Sequence, residues 1–296
     1  MIKKQLSYKI TTEDAGRTVE QFLRRKGYSH HLVVHLRNTP FGLTVGGETI
    51  YTIHRLQEGE VLSATLVEEE NSQNIVPVKL PLDIVYEDED IMVVNKAAGV
   101  PIHPSQGHFD NTLANAVAWY FREKGEPIVY RAINRLDRDT TGLLVLAKHM
   151  LSACVLSAQM ADRQIKREYR AIVCGKTEAF GTVDAPLGRL SGSTVERTVD
   201  YEKGEPACTH YVRLSYNPQK DLSYLSLRLD TGRTHQIRVH MGFIGHPLPG
   251  DFLYNPDYRY IGRQPLHSHG LTFMHPVTGE PMEFWAPLPP DMEALL

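Results

Sequence analysis

Residues 133–148 read INRLDRDTTGLLVLAK, and the architecture follows from how this stretch resolves. Its first half crowds Arg135, Asp137, Arg138 and Asp139 into a short charged segment. Its second half, Leu143 to Ala147, is an unbroken apolar run with the length and composition of a buried strand. A charged loop therefore sits directly against the core. A carboxylate taken out of water there loses much of its solvation unless a partner answers it, and the flanking arginines are the candidate partners. An aspartate held ionised beside guanidinium groups suits a nucleophile or an electrostatic stabiliser better than a general acid, because positive neighbours favour its charged form. Thr140, Thr141 and Gly142 shape the turn. Paired Asp and Arg in a turn also serve as a structural clamp, so this stretch alone leaves clamp and catalytic site both open.

Outward from it, the chain alternates elements. Upstream, residues 83–104 (DIVYEDEDIMVVNKAAGVPIHP) give two short β-type runs around an acidic turn. DNTLANAVAWYFREKG, residues 110–125, predicts a helix capped by Asp110 or Asn111 and stopped by Gly125. Downstream, Leu151, Val155, Leu156 and Met160 recur with helical spacing, and REYRAIVCG follows as a strand opened by Tyr169. From residue 181 to 254 the segments APLGRL, VDYEKGEPACTHYVRLSY, SYLSLRLDTG and RTHQIRVHM read as successive strands. The last would carry Ile237 and Val239 on one face and Gln236, Arg238 and His240 on the other. LHSHGLTFMHPVTGEPMEFWAPLPP, residues 266–290, fits a hairpin closed by a Pro and Gly turn.

A length of 296 residues favours two domains, one of them small. Residues 12–67 form a unit of their own, with two short amphipathic helices broken at Gly27 and then short strands near GLTVGGETI and VLSATLV. The polar, proline-punctuated stretch after it reads as a linker, dividing the chain into a small domain at 1–72, a linker at 73–82 and a large domain at 83–296. Arg17, Arg24, Arg25, Lys26 and Arg37 fall on the helical part, where Glu20 is the only acid between Arg17 and Arg37, so a phosphate-facing surface at Arg24, Arg25, Lys26 and Arg37 is expected. The net charge of −3 argues against nucleic acid as a partner only until its distribution is read. Residues 131–170 carry eight Arg and Lys against four Asp and Glu, 8 − 4 = +4, and the acid lies elsewhere, in residues 68–70 and 87–90. Cys154, Cys174 and Cys208 are odd in number and lack a C-x-x-C pair, so neither a disulfide framework nor a thiolate metal site is indicated. With no signal peptide and no run approaching the roughly 20 apolar residues of a spanning helix, a cytoplasmic protein without a membrane partner is expected.

RLDRDTTGLL resembles the RLD-x-x-TSGLL signature of the RNA pseudouridine synthases of the ribosomal large-subunit type, and LDTGRTHQIRVHMGFIGHPLPGD at 229–251 resembles that family's second signature. The resemblance implies an α+β fold, a mixed and largely antiparallel bent sheet with a central RNA-binding cleft flanked by a few helices, preceded by a small αβ domain similar to that of the fourth protein of the small ribosomal subunit. It implies isomerisation of uridine to pseudouridine in ribosomal or transfer RNA by a monomer, without cofactor or metal. By the same resemblance Asp137 is the catalytic carboxylate, and Arg135 fills the gap left by the flipped base. Tyr169 lies against that base, Arg233 pairs with the carboxylate and reaches the nucleotide's phosphate, and Leu266 lines the base pocket. The chain departs from the family pattern in Asn134 for His, Thr141 for Ser, Ala97 after Lys96 where Pro is usual, and an IKREY one residue longer than K-x-Y.

The sequence admits three other readings. DTG at 230–232 and DTTG at 139–142 suggest an aspartic protease, but arginines beside both would keep the carboxylates ionised. His235, His240, His246, His267, His269 and His275 suggest a metal enzyme, but no carboxylate accompanies them in a known spacing. A catalytically inactive RNA-binding module of the same fold is the third, against which the retention of Asp137, Arg135, Tyr169 and Arg233 argues.

Overall fold

The computed structural model describes residues 2–68 and 75–296. The acidic residues Glu69 and Glu70 and the first two residues of the expected linker lie outside them. The N-terminal part consists of β1 (Ile2–Lys9), α1 (Val19–Arg25), α2 (His30–Asn38), β2 (Leu43–Val45), β3 (Glu48–Thr49) and β4 (Val61–Glu68), with a four-stranded sheet in the order β1-β4-β2-β3. Thr18 caps α1 in a reciprocal capping box with Gln21, Ser29 caps α2, and Gly27 between them takes φ +88°. The two helices bury Val19, Phe22, Leu23, Leu32, Val33 and Leu36 against the sheet. Strand β1 is not among the strands expected from the sequence. Its solvent-side residues are polar and among its side chains Leu6 alone is buried, yet it pairs with β4 along its whole length, from Ile2 opposite Glu68 to Lys9 opposite Val61.

The rest of the chain is built on one nine-stranded sheet. It contains β5 (Ile84–Glu87), β6 (Ile91–Lys96), β7 (Thr141–Ala147), β8 (Lys166–Cys174), β9 (Phe180–Asp184), β12 (Cys208–Asn217), β13 (Leu222–Leu229), β14 (Leu266–Met274) and β15 (Pro281–Trp285), in the order β5-β6-β7-β14-β8-β13-β12-β9 with β15 on β14. A two-stranded ribbon, β10 (Leu187–Arg189) with β11 (Arg197–Val199), stands apart. The pairing is antiparallel except between β7 and β14. Helices α3 (Leu113–Glu123), α4 (Met150–Ala161), α5 (Gln236–Phe243) and the short α6 (Pro290–Glu293) flank the sheet.

Every residue of β7 is buried, which explains why it reads as a continuous apolar run: Leu143 and Val145 face one core cluster and Leu144 and Leu146 the other. Its start is the tightest point of the sheet. Gly142 has φ +108°, and a Cβ there would lie 2.2 Å from the Ser268 carbonyl oxygen of β14. Gly142→Ala must therefore both strain its backbone and separate the parallel pair, and we expect a loss of roughly 2–5 kcal/mol in urea unfolding. A loss within about 0.5 kcal/mol, typical of an ordinary surface change, would show that the pair tolerates the side chain.

Two expectations need correction. The cap of α3 is Thr112, in a capping box with Asn115, rather than Asp110 or Asn111. RTHQIRVHM is not a strand: residues 236–243 form α5, preceded by His235 in the left-handed region at φ 58°. A five-residue alternation fits both periods, and here the four-residue spacing wins because Ile237 and Met241 both pack on Tyr169, Ala171, Leu225 and Leu227 beneath the helix. Gln236 fixes its start, accepting from the Arg233 amide at 3.0 Å and donating to the Cys208 carbonyl at 2.9 Å.

The N-terminal part packs against α4 through its core and the turn between α1 and α2. Leu151 belongs to the N-terminal core cluster, the Cys154 thiol donates to the Gly27 carbonyl at 3.2 Å, and Lys4 pairs with Asp90 at 2.8 Å while Arg131 pairs with Glu68. Residues 75–82 run along α3, where Asn115 Nδ2 donates to the Val76 carbonyl at 2.7 Å, so this part of the expected linker is fastened rather than loose.

Candidate active site

The charged half of residues 133–148 forms the loop into β7, and its geometry comes from buried polar partners. Asn134, 3 % exposed, accepts from the Val145 amide at 2.9 Å and ties the loop to the strand that follows it. Lys96, 2 % exposed at the end of β6, donates to the carbonyls of Ala97 at 2.7 Å, Val100 at 2.9 Å and Arg138 at 2.7 Å. Burial pulls the Lys96 ammonium down to about 7, against the charges of Asp139 and Asp137, which pull it up. It thus braces the residue next to Asp137 from below. Leu136, on the other side of Asp137, packs into the cluster that contains Tyr169, Leu266 and Ile237.

Asp137 is reached from α5. Arg238 Nη1 donates to Asp137 Oδ2 at 2.9 Å, while Arg238 Nε and Nη2 form a bidentate pair with Asp251 at 2.7 Å each. Arg238 is 1 % exposed, and its guanidinium also lies over the rings of Tyr254 and Phe252. Burial alone would lower its pKa, but the hydrogen bonds of Asp251 and the charge of Asp137 more than reverse this, and the group stands above the ordinary arginine value. The result is a carboxylate–guanidinium–carboxylate chain with one end, Asp137, a quarter exposed. His235 Nε2 lies 3.9 Å from Asp137 Oδ1, with Nδ1 held by the Tyr254 hydroxyl at 2.9 Å. Burial depresses its pKa against the pull of Asp137, favouring the neutral ring.

The arginine on Asp137 is therefore Arg238, not Arg233. Arg233 sits in the turn before α5, where it pairs with Glu205 and donates from Nε to the Pro206 carbonyl at 3.2 Å. Reading α5 as a strand hid this, because only a helix brings Arg238 back over the loop while Arg233 stays at the rim. Asp251 and His235 had no signal beyond lying within the second motif. Tyr169, 5 % exposed on β8, and Leu266, 4 % exposed on β14, share one apolar cluster with Leu136, the residue between Arg135 and Asp137. Arg135 is exposed and, with Arg163, Lys166, Arg167, Arg228 and Arg233, lines a groove of about 1370 Å³ whose acidic lining is Glu168, Asp230 and Glu283. Arg24, Arg25 and Lys26, at the end of α1, and Arg37 on α2 are exposed, Arg25 facing Asp14 at 3.9 Å and Lys26 lying over the Phe22 ring.

Of the six C-terminal histidines, His267 and His269 stand with ring centroids 6.1 Å apart and His275 meets Asp88 and Asp90, while the others lie apart. His240 binds Thr209 and the Ala185 carbonyl, His246 the Cys174 carbonyl, and His267 the Thr141 hydroxyl at 2.8 Å. Burial pushes His267 down to about 4 from 6.5 and also depresses His240 and His269. Because the folded pKa lies below the unfolded one, between about 6.5 and about 4 the unfolded chain takes up protons that the folded chain refuses, and stability falls as pH falls. We expect the urea midpoint to drop across that window and the drop to shrink in His267→Gln; a midpoint independent of pH there would refute it.

A family profile described as RNA pseudouridylate synthase matches residues 90–242, just over half of the chain and all of the Asp137–Arg238 pair. An uncharacterized RNA pseudouridine synthase of Bacillus subtilis, YjbO, is 40 % identical over 280 residues, covering 94 % of this chain and 98 % of that protein. Ribosomal large subunit pseudouridine synthase D of Zymomonas mobilis is 43 % identical, covering 74 % of this chain and 73 % of that protein. The structure of human RNA pseudouridylate synthase domain containing 1 superposes with a TM-score of 0.61 at 28 % identity, covering 72 % of this chain and 87 % of that chain. Matches of this extent leave one reading of the sheet and its charged loop: the chain belongs to the RNA pseudouridylate synthase family, in its ribosomal large-subunit type.

Proposed function

We propose that the chain draws a uridine of ribosomal or transfer RNA out of its stack and presents it to Asp137, with Tyr169 and Leu266 against the base. The family's reaction breaks the N1 glycosidic bond of uridine, turns the freed uracil and rejoins it through C5. No electron or group donor enters, so the protein must supply charge, orientation and a closed space for the loose base. The single observation that carries the reading is the Asp137–Arg238–Asp251 chain. It fixes a carboxylate paired with a guanidinium beside the apolar cluster of Tyr169, Leu136 and Leu266. Such a carboxylate serves addition to C1′, addition to C6, or removal of the 2′ proton.

Flipping costs a few kcal/mol, on the order of one stacking step, and Arg135, an exposed cation of the loop, can fill the gap. Arg163, Lys166, Arg167, Arg228 and Arg233 in the groove suit the phosphates on either side of the target. Arg24, Arg25, Lys26 and Arg37 of the small domain, assigned to RNA contact, would extend that track. Among the described residues no helix is long and apolar enough to cross a membrane. We place the protein as a monomer in the cytoplasm. Release of tritium from RNA labelled at uridine C5, using transcripts of large-subunit ribosomal RNA and of transfer RNA, tests the reading. Tightly bound RNA of either kind with no release would identify the chain as an inactive binding module.

A further inference from the structure

Away from Asp137, two clusters of metal-type donors occur among the described residues: Asp88, Asp90 and His275, and Cys208, His210 and Asp230. The first has its donors already engaged. Asp88 accepts from the amides of Asp90 and Ile91 and from the Tyr86 hydroxyl, and Asp90 is held by the Lys4 ammonium at 2.8 Å and by His149 at 2.8 Å. An ammonium at the centre of a carboxylate cluster stands where a cation would.

In the second cluster the three donors meet one another and no ammonium is bonded among them. Cys208 and His210 lie two apart on β12 and so on one face, and Asp230 follows the end of β13, whose Leu229 pairs with Thr209. Cys208 Sγ is 3.6 Å from His210 Nε2, which is 3.1 Å from Asp230 Oδ2, and the three donor atoms all lie within 4.8 Å of one another. A tetrahedral zinc ion with ordinary bond lengths sets sulfur and imidazole nitrogen about 3.6 Å apart and nitrogen and carboxylate oxygen about 3.4 Å apart. The thiol–imidazole edge thus has the length a bound ion demands, and the imidazole–carboxylate edge needs to open by a few tenths of an ångström. The other ring nitrogen of His210 is bonded to the Thr182 hydroxyl at 2.9 Å, the outer contact that orients a metal-ligating histidine and aims Nε2 at the cluster. Cys208 is fixed through its backbone, its amide donating to Thr231 Oγ1 at 3.2 Å and its carbonyl accepting from Gln236 at 2.9 Å.

We propose that Cys208, His210 and Asp230 form a binding site for a borderline-soft divalent cation of the zinc type. The thiolate and the carboxylate supply two negative charges and the imidazole the neutral third donor. Three donors leave the fourth tetrahedral position to water or to an oxygen of a ligand. His210 and Asp230 line the basic groove. Arg163, a cation of that groove close enough to act on Asp230 and Cys208, opposes the ion and keeps the site weaker than a closed structural zinc site. Through Thr231 and Gln236 a bound ion would stiffen the turn that carries Arg233 and the start of α5. The inference rests on this geometry alone and is independent of the role given to Asp137.

Cobalt(II) titration of the full chain, stripped of metal beforehand, tests it, with thermal melting confirming that each variant folds. One cobalt ion per chain should bind with the near-ultraviolet absorption of a cobalt–thiolate bond, and zinc should displace it. Cys208→Ser should abolish that absorption. His210→Ala and Asp230→Asn should each weaken binding by at least about tenfold, Thr182→Val by about tenfold, and His275→Ala should change nothing. Absence of the thiolate absorption, or equal binding by folded Cys208→Ser and His210→Ala, would overturn the site.

Discussion

Asp137→Asn is expected to lower pseudouridine formation by about four orders of magnitude while leaving RNA affinity and thermal stability close to those of the unchanged chain. The substitution is nearly isosteric. The asparagine oxygen still accepts from Arg238 Nη1, now 2.9 Å from Asp137 Oδ2, and the bidentate pair with Asp251 keeps the guanidinium neutralised from its other side. What disappears is the negative charge, and each of the three routes open to the carboxylate needs it, as nucleophile at C1′ or C6 or as base at the 2′ position. Arg238, 1 % exposed, stays paired with Asp251, so no buried cation is stranded by the change, which is why stability should hold. Tritium release at saturating RNA measures the first effect, and filter binding with thermal melting the second. Activity within tenfold of the unchanged chain would remove Asp137 from the chemistry, whatever its position.

How much of this was legible depended on the scale of each signal. The buried strand at residues 141–147 announced itself through an unbroken apolar run, because a strand covered on both faces has no polar side to show. The charged loop before it was legible for the same reason, since charges abutting such a run must be answered locally. Helices α1, α2 and α4 followed from apolar spacing. Strand β1 alternates too, with Ile2, Leu6 and Tyr8 less exposed than Lys3, Gln5, Ser7 and Lys9, but Lys4 on the inner side masks the period. The partner of Asp137 was misassigned for a different reason. Residues 236–240 alternate well enough to pass as a strand, and the contest between two periods was decided by what lies beneath, Tyr169, Ala171 and Leu227, far away in sequence. Residue type and motif pointed to an arginine, and only the helix settles which one. Cys208 and Asp230 likewise become neighbours only through the register of β12 against β13.

The two arginines should separate cleanly in kinetics, and Arg238 should show the larger effect. Arg238→Met removes the cation between two carboxylates, one of them, Asp251, fully buried, and breaking such a pair costs about 3–5 kcal/mol because the remaining charge is left without an answer. Arg238→Lys is the more informative change. An ammonium restores the charge, so the chain should fold, but it is a single point that cannot hold Asp251 through two nitrogens and offer a third to Asp137. With Asp137 free to rotate, kcat should fall by about 10²-fold, the scale of a misplaced catalytic group, with KM little changed. Arg233 is 41 % exposed at its side chain and answers Glu205 at the rim of the groove, so its loss cannot unsettle the buried chain. Arg233→Ala should raise KM and flatten the salt dependence of binding, as expected for a phosphate contact, while leaving kcat within a few-fold. If Arg233→Ala lowers kcat as far as Arg238→Lys does, Asp137 must exchange its partner once RNA is bound, and the helix that carries Arg238 would be a support for the fold rather than for the reaction.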